Sequence, residues 1–339
     1  MSEIAPVKSA IHHGAVPMIA LWRGELLESL HHGHAVVTRD TGEIVEVWGR
    51  ADTLIYPRSS CKMVQALPLL ETGAGQDLTP AHLALACASH QGAAIHVNKV
   101  ARWLEDLGLA EQDLRCGCQA PQDIPERDRL IREGAAPCQL HNNCSGKHAA
   151  FLMLNQNLRG DADYILPDHP LQRMIRSTFE EVTGMRSPGY GIDGCSAPNF
   201  ATGLDAFAYA LAQFAGATDR GDARARAMVR LREAMMRHPD LVAGETRACT
   251  DLMRAMGGKV AVKMGAEAVF AAILPEQRLG IALKIVDGGV RAADAAMTAL
   301  LIRHGALDPQ NPVVARYLGP MKNWRGLHVG ETRRAEGFA

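Results

Sequence analysis

Apolar and β-branched residues near the N-terminus form short runs typical of β-strands. Residues 18–22 and 35–38 are two such runs, and residues 44–48 form a third after the turn Asp40-Thr41-Gly42. A glycine-containing turn between two strand-like runs favours a hairpin. The pattern therefore predicts strands at 18–22, 35–38 and 44–48, with the last two paired.

Beyond residue 59 the apolar spacing changes to the period of an α-helix, with apolar side chains at Met63, Ala66, Leu67 and Leu70. This spacing predicts a helix over 61–72. Pro68 lies inside the run, and proline kinks or breaks a helix interior. We therefore expect this helix to be interrupted.

The middle of the chain, about 80–256, is predicted to be mostly helical. The predicted helices are 82–87, 95–107, 124–133, 147–155, 172–183, 199–214 and 223–237. Strands return at 268–274 and 280–286, followed by a helix at 292–303. The tail beyond residue 323 has little apolar content, so it is expected to be loosely ordered.

Strands at both ends with helices between them predict an α/β (α+β) fold. One sheet is formed by the two chain ends, and the helical region at about 80–256 is inserted between its strands. The 339 residues would accommodate two average domains or one large unit. We predict a single domain over 1–339.

Composition excludes several functions. The 36 basic and 37 acidic residues give a formal charge of −1, and no long basic run is present, so nucleic acid is not an expected partner. No apolar run approaches the ~20 residues that span a bilayer, and no membrane partner is expected.

The N-terminus lacks a signal-peptide pattern, which predicts a cytoplasmic protein. Eight cysteines are too sparse for a disulfide scaffold, so reduced thiols are expected.

Ser59 and Lys62 form a Ser-x-x-Lys motif at the start of the predicted 61–72 helix. Residues three apart share a helix face, so the Lys62 amine is expected near the Ser59 hydroxyl. A neutral lysine can remove the proton from a serine, which then becomes a nucleophile. The alternative is that Ser59 caps a helix and Lys62 is solvated.

A second serine and a second lysine stand in unusual surroundings. Ser89 follows an apolar helix and precedes His90, and small residues surround the pair. Lys263 precedes Gly265 and a predicted strand, where it can point into a cleft. The alternatives are a capping hydroxyl and a solvated loop lysine.

Two thiols, Cys144 and Cys195, are candidates for a zinc site assembled from distant segments. Thiolates suit zinc, and two further donors would complete its tetrahedron. Lys147 is an unusual candidate donor because it must first lose its proton. Further candidates are Asp193, His148 and His141. The alternative is that both cysteines are small core residues.

Five motifs occur in one order along the chain: Ser59-x-x-Lys62, Ala88-Ser89-His90, Asn143-Cys144-Ser145-Gly146-Lys147-His148, Asp193-Gly194-Cys195, and Lys263-x-Gly265-Ala266-Glu267. Together they resemble the L-asparaginase II family, the rhizobial-type or class 3 asparaginases. Each motif is modest, but five in order over nearly the whole chain are specific.

The resemblance implies hydrolysis of L-asparagine to L-aspartate and ammonia by a homodimer. The fold would be similar to that of serine β-lactamases and glutaminases, with helices on a mainly antiparallel sheet. The resemblance also implies a role for each motif residue: Ser59 would be the nucleophile with Lys62 as its base, Ser89 and Lys263 would form a second Ser–Lys pair, and Cys144, Lys147 and Cys195 would bind zinc with a water.

We expect the zinc, with Arg58 and Asp193, to position the charged ends of the substrate. One competing interpretation is a serine acyl hydrolase of the β-lactamase or peptidase type. The chain has Lys263-Met264-Gly265 where β-lactamases have Lys-Thr-Gly, and it has no Ser-Asp-Asn triplet. The other is a non-catalytic zinc-binding module in which Ser59 and Lys62 are structural.

Overall fold

The computed structural model describes residues 11–339. Its strands are β1 (Val16–Arg23), β2 (Leu26–Arg39), β3 (Ile44–Trp48), β4 (Leu54–Ile55), β5 (Tyr190–Ile192), β6 (Pro198–Phe200), β7 (Thr202–Gly203), β8 (Ala261–Met264), β9 (Val269–Leu274), β10 (Leu279–Ile285), β11 (Pro320–Lys322) and β12 (His328–Arg334).

The α-helices are α1 (Lys62–Gln65), α2 (Leu67–Glu71), α3 (Pro80–Ala86), α4 (Ala94–Asp106), α5 (Ile124–Glu133), α6 (Ser145–Leu158), α7 (Pro170–Thr183), α8 (Leu204–Gly216), α9 (Ala223–Arg237), α10 (Pro239–Val242), α11 (Ala248–Ala255), α12 (Val290–Arg303) and α13 (Pro312–Tyr317). Short 3₁₀ helices lie at Arg58–Cys61, Glu111–Asp113 and Gln139–His141.

One eight-stranded antiparallel sheet joins the two ends of the described chain. Its order is β11-β12-β1-β2-β10-β9-β8, and β3 pairs with β2 beside this path. This confirms the predicted fold class, an α/β (α+β) fold whose mainly antiparallel sheet comes from both chain ends. The predicted hairpin of 35–38 with 44–48 is also confirmed as the β2–β3 pair.

Helices cover the sheet around its central strands. Every residue of β9 and β10 is buried, and both α8 and α12 contact these two strands. Strands buried on both faces lose the apolar–polar alternation of a half-exposed sheet. Helix α8 crosses so close to β10 that a Cβ at Gly280 would collide with the helix backbone at Ala208 and Ala212.

The C-terminal tail was predicted incorrectly. Beyond residue 323 the chain forms β12, which pairs with β1 from Ile19↔Arg334 to Trp22↔Glu331. Backbone hydrogen bonds to β1 order a segment whose own side chains are largely polar. The hydropathy of the tail's side chains does not indicate this backbone pairing. The expectation that the tail is loosely ordered was therefore wrong.

Two predicted helices differ from the structure. The 199–214 helix begins only at Leu204, because Pro198–Phe200 is a strand paired with Tyr190–Ile192. The 61–72 helix is divided at Ala66 into α1 and α2, and Pro68 is the second residue of α2. Proline is tolerated in the first turn, where its missing N–H has no partner to lose.

Of the helices between residues 11 and 339, none combines the length and the apolar character needed to cross a membrane.

Candidate active site

The segment that carries Ser59 is held in an unusual backbone conformation. Arg58 opens the 3₁₀ helix with φ of +53°, in the left-handed region that non-glycine residues rarely adopt. A Cβ at Gly265 would lie 2.5 Å from Pro57 O and 3.0 Å from Ser60 N, so the loop after β8 approaches this segment closely. Backbone strain of this kind is concentrated at functional sites.

Ser89 lies between two lysine amines. Its Oγ is 2.9 Å from Lys62 Nζ and 2.8 Å from Lys263 Nζ. Lys62 also donates to Ala88 O and lies 3.1 Å from Cys144 Sγ, while Lys263 is 2.9 Å from Met264 O. Both lysine residues are about 1% exposed. The alternatives of a solvated Lys62 and a solvated loop Lys263 are therefore excluded.

The two amines have different surroundings. Burial, together with the positive charge of Lys62, lowers the pKa of Lys263 to about 7. Lys62 has three acceptors around it, which matches the three N–H donors of an ammonium group. A consistent hydrogen-bond assignment is that Lys62 donates to Ser89 Oγ and that the Ser89 hydroxyl donates to neutral Lys263.

The predicted contact between Lys62 and Ser59 is not among the hydrogen bonds of residues 11–339; the Lys62 amine contacts Ser89 instead. Ser59 is partly exposed. Ser60 is different, because its hydroxyl donates to Pro57 O at 2.6 Å and its amide donates to the same oxygen at 3.1 Å. Within the described chain the Ser59 amide has no acceptor, so it is free to stabilise an oxyanion.

The predicted zinc ligands lie together in the interior. Lys147 Nζ is 3.0 Å from Cys195 Sγ, and Cys144, Lys147 and Cys195 are each at most 4% exposed. A hydrogen bond from Cys144 lowers the pKa of the Cys195 thiol well below its usual range, and the Lys147 charge acts in the same direction. The same hydrogen bond, together with burial, raises the pKa of Cys144.

These donors fit the chemistry of zinc, which takes sulfur and nitrogen ligands. His148 adds a buried Nε2 that has no hydrogen-bond partner within residues 11–339, while its Nδ1 lies 2.8 Å from the Tyr164 hydroxyl. In the part of the chain that the structure describes, no three His, Cys, Asp or Glu side chains form a metal-binding group. A site here therefore depends on Lys147 as a donor.

Two other candidate ligands have different partners. Asp193 accepts hydrogen bonds from Arg58 at 2.8 and 3.0 Å, so the two predicted substrate-binding residues form an ion pair with each other. His141 lies 3.2 Å from Glu126 and 3.3 Å from the Cys138 thiol. Its contacts thus connect the 138–141 turn to α5 rather than to the two thiols.

A cavity of about 490 Å³ lies beside Arg58. It is bordered by Tyr56, Arg58, Glu267 and Lys284, among others. Neither Glu267 nor Lys284 was predicted to be a site residue, although Glu267 belongs to the Lys263-x-Gly265-Ala266-Glu267 motif. A larger hollow of about 590 Å³ lies at the C-terminal residues beside Trp48 and contains none of the predicted site residues.

Ser89 and Cys144 are also joined through their neighbours. His90 Nδ1 accepts the amide proton of Gly92, so its Nε2 carries a proton and donates to Ser145 Oγ at 3.0 Å. The backbone amide of His90 donates to Asn143 O. The serine–lysine cluster and the thiol cluster are therefore connected parts of one site.

The solved structures that match the chain are distant from it in sequence. Mglu in its glutamate form is 13% identical with a TM-score of 0.48, covering 81% of this chain and 61% of that one. The chain therefore spans about three fifths of the length of Mglu. A putative β-lactamase from Bacteroides dorei is 13% identical with a TM-score of 0.41, covering 80% and 93%. A β-lactamase from Mycobacterium bovis is 12% identical with a TM-score of 0.45, covering 81% and 95%.

Among curated proteins, no relative matches the chain. The family model of L-asparaginase II matches residues 19–334, which is nearly all of the chain. That match confirms the resemblance carried by the five motifs. The protein is a member of the L-asparaginase II family.

Proposed function

We propose that the protein is an L-asparaginase, which hydrolyses L-asparagine to L-aspartate and ammonia. Family membership supports an amidohydrolase. One observation carries the chemistry: the Ser89 hydroxyl lies between the buried amines of Lys62 and Lys263. Amide hydrolysis needs a nucleophile and a group that accepts its proton, and an amine with a pKa near 7 accepts protons at neutral pH.

In this proposal Ser59 attacks the side-chain amide carbon, and its proton travels along the lysine–serine chain. Lys62 passes a proton to the Ser89 oxygen while Ser89 passes its own proton to Lys263. The neutral Lys62 amine then takes the proton of Ser59. The Ser59 amide stabilises the oxyanion, a protonated amine supplies the proton to the leaving ammonia, and water hydrolyses the acyl-enzyme.

This path requires the Lys62 amine to exchange one of its present partners for the Ser59 hydroxyl. Hydrogen bonds of catalytic groups often form only when substrate is bound. A second candidate nucleophile is Ser89 itself, because its hydroxyl already contacts Lys263 at 2.8 Å. The two candidates differ in which serine carries the acyl group, and this difference can be measured.

Ammonia release by the purified protein tests the function. We expect steady release from asparagine above the buffer blank and weak turnover of nitrocefin. Turnover of nitrocefin without ammonia from asparagine would instead support the β-lactamase or peptidase-type hydrolase. Release from neither asparagine nor glutamine, with stoichiometric zinc, would support the non-catalytic zinc module.

We also propose that Cys144, Lys147 and Cys195 hold zinc. The proposal is supported by their burial, by the 3.0 Å contact of Lys147 with Cys195, and by their donor chemistry. When bound, zinc would supply a Lewis acid close to the serine–lysine cluster, because Lys62 Nζ lies 3.1 Å from Cys144 Sγ. The lysine must be neutral to bind, so zinc affinity should fall as the pH is lowered.

The Cys144→Ala variant should lose most of its zinc after dialysis, because a thiolate donor is removed. Cys118→Ala is the matched control, since Cys118 is an exposed free thiol. The measurement is the metal-to-protein ratio at equal protein folding. An unchanged ratio in Cys144→Ala would remove Cys144 from the ligand set.

The homodimer and the cytoplasmic location stay predictions from the resemblance and the sequence.

A further inference from the structure

The cavity beside Arg58 is bordered by a second strained segment. Glu267 and Ala268, in the turn between β8 and β9, have φ of +58° and +55°. Two consecutive non-glycine residues in the left-handed region are costly, so the surrounding structure must hold them. The Lys284 amine does so by donating to the backbone oxygen of Glu267.

Lys284 is a buried cation with donors to spare. It lies on β10, is 7% exposed, and borders the cavity. An ammonium group has three N–H donors, and Glu267 O is the acceptor of one hydrogen bond. Its nearby acid, Asp287, is already 2.6 Å from His31 Nδ1. Within residues 11–339 the remaining Lys284 donors have no acceptor, and a ligand anion in the cavity would provide one.

Glu267 is a carboxylate without a direct ion pair in the described part of the chain. The Arg58 guanidinium, which also borders the cavity, is bonded to Asp193. Among the charged residues that border the cavity, Glu267 and Lys284 are therefore the ones without an ion pair at short range within residues 11–339. They border the same cavity but are not bonded to each other through their charged groups.

An α-amino acid carries the complementary pair of charges, a carboxylate and an ammonium on one carbon. We infer that Lys284 binds the α-carboxylate and Glu267 binds the α-ammonium of the amide substrate. This inference rests on the proposed asparaginase function. Glu267 and Lys284 would then select an amino-acid amide over other amides. Arg58 borders the cavity, and the proposed nucleophile Ser59 follows it directly in the chain.

The partly apolar surroundings strengthen such contacts. Leu54 and Pro188 also border the cavity, and charge interactions grow as water is displaced from them. A hydrogen bond to a charged group is worth about 1.5–3 kcal/mol, which corresponds to about 10- to 100-fold in kcat/KM. Each contact should therefore be visible in the turnover of truncated substrates.

Substrate truncation combined with substitution tests the inference. Succinamic acid lacks the α-ammonium of asparagine, and 3-aminopropanamide lacks its α-carboxylate. Glu267→Gln should lose about 10- to 100-fold in kcat/KM with asparagine but little with succinamic acid. Lys284→Met should also lose about 10- to 100-fold in kcat/KM with asparagine and with succinamic acid, but its kcat/KM with 3-aminopropanamide should change little. Glu276→Gln, which neutralises an exposed acid paired with Lys259, is the control and should leave all three unchanged.

An equal loss of kcat/KM on all three substrates, or no loss in either variant, would overturn the inference. The proposed function would still stand in that case, provided that the wild type hydrolyses asparagine. If Lys284→Met does not fold, Glu267→Gln decides, because its side chain is exposed and its backbone contact is kept. If the wild type releases no ammonia, the proposed function fails and calorimetry decides the inference. Glu267→Gln should then weaken binding of aspartate but not of succinate, and equal weakening would refute it.

Discussion

Lys263→Met is expected to lower kcat for asparagine by about 10²–10⁴-fold, the usual contribution of a general base. The substitution removes the amine that accepts the Ser89 proton at 2.8 Å. Lys263→Arg should be as inactive, because a guanidinium stays protonated and therefore cannot accept a proton. Lys259→Met is the matched control, since Lys259 is an exposed lysine paired with Glu276.

The pH dependence separates a proton-accepting role from a structural one. Only neutral Lys263 accepts a proton, so wild-type kcat/KM should rise with pH and level off above an apparent pKa of about 7. Burial and the Lys62 charge lower this pKa, the Arg247 charge acts in the same direction, and Cys249 and Cys144 oppose it. A flat profile across neutral pH, together with an inactive Lys263→Met, would assign Lys263 a structural role.

Ser59→Ala is expected to reduce turnover by at least ~10³-fold, because removal of a nucleophile leaves only binding and electrostatic stabilisation. Rapid quenching followed by peptide mass mapping should place the acyl group on Ser59 in the wild type. Ser60→Ala is the matched control. Its hydroxyl is buried and bonded to Pro57 O, so the variant should lose stability rather than the acyl intermediate.

Ser89→Ala distinguishes the two candidate nucleophiles. If Ser89 only relays protons, the variant should be slow but should still form an acyl group on Ser59. An acyl group found on Ser89 in the wild type would transfer the nucleophilic role to that residue. Full asparaginase turnover by Ser59→Ala would refute the Ser59 assignment without any mass measurement.

Local sequence patterns correctly predicted the elements whose own apolar spacing or turn residues indicate a helix or a strand. The helices 124–133 and 223–237 and the strand 44–48 have the predicted bounds. These patterns can be recognised within a single segment, without knowing which distant segments pack beside it. The strand Pro198–Phe200 was missed because most of it lies inside the predicted 199–214 helix, while its pairing partner, Tyr190–Ile192, lies outside that range.

The sequence by itself determined the α/β class, the sheet formed by both chain ends, the family and the residue types available for chemistry. Those properties follow from periodicity and from motifs that are read along the chain. Only the tertiary structure decided that Lys62 contacts Ser89, that Arg58 and Asp193 neutralise each other, and that Lys284 borders the same cavity as Glu267. Spacing along a chain limits where a long side chain can reach, but its partner depends on burial and on which distant segments pack beside it. The order of the C-terminal tail has the same cause, since β12 is held by hydrogen bonds to a strand more than 300 residues earlier.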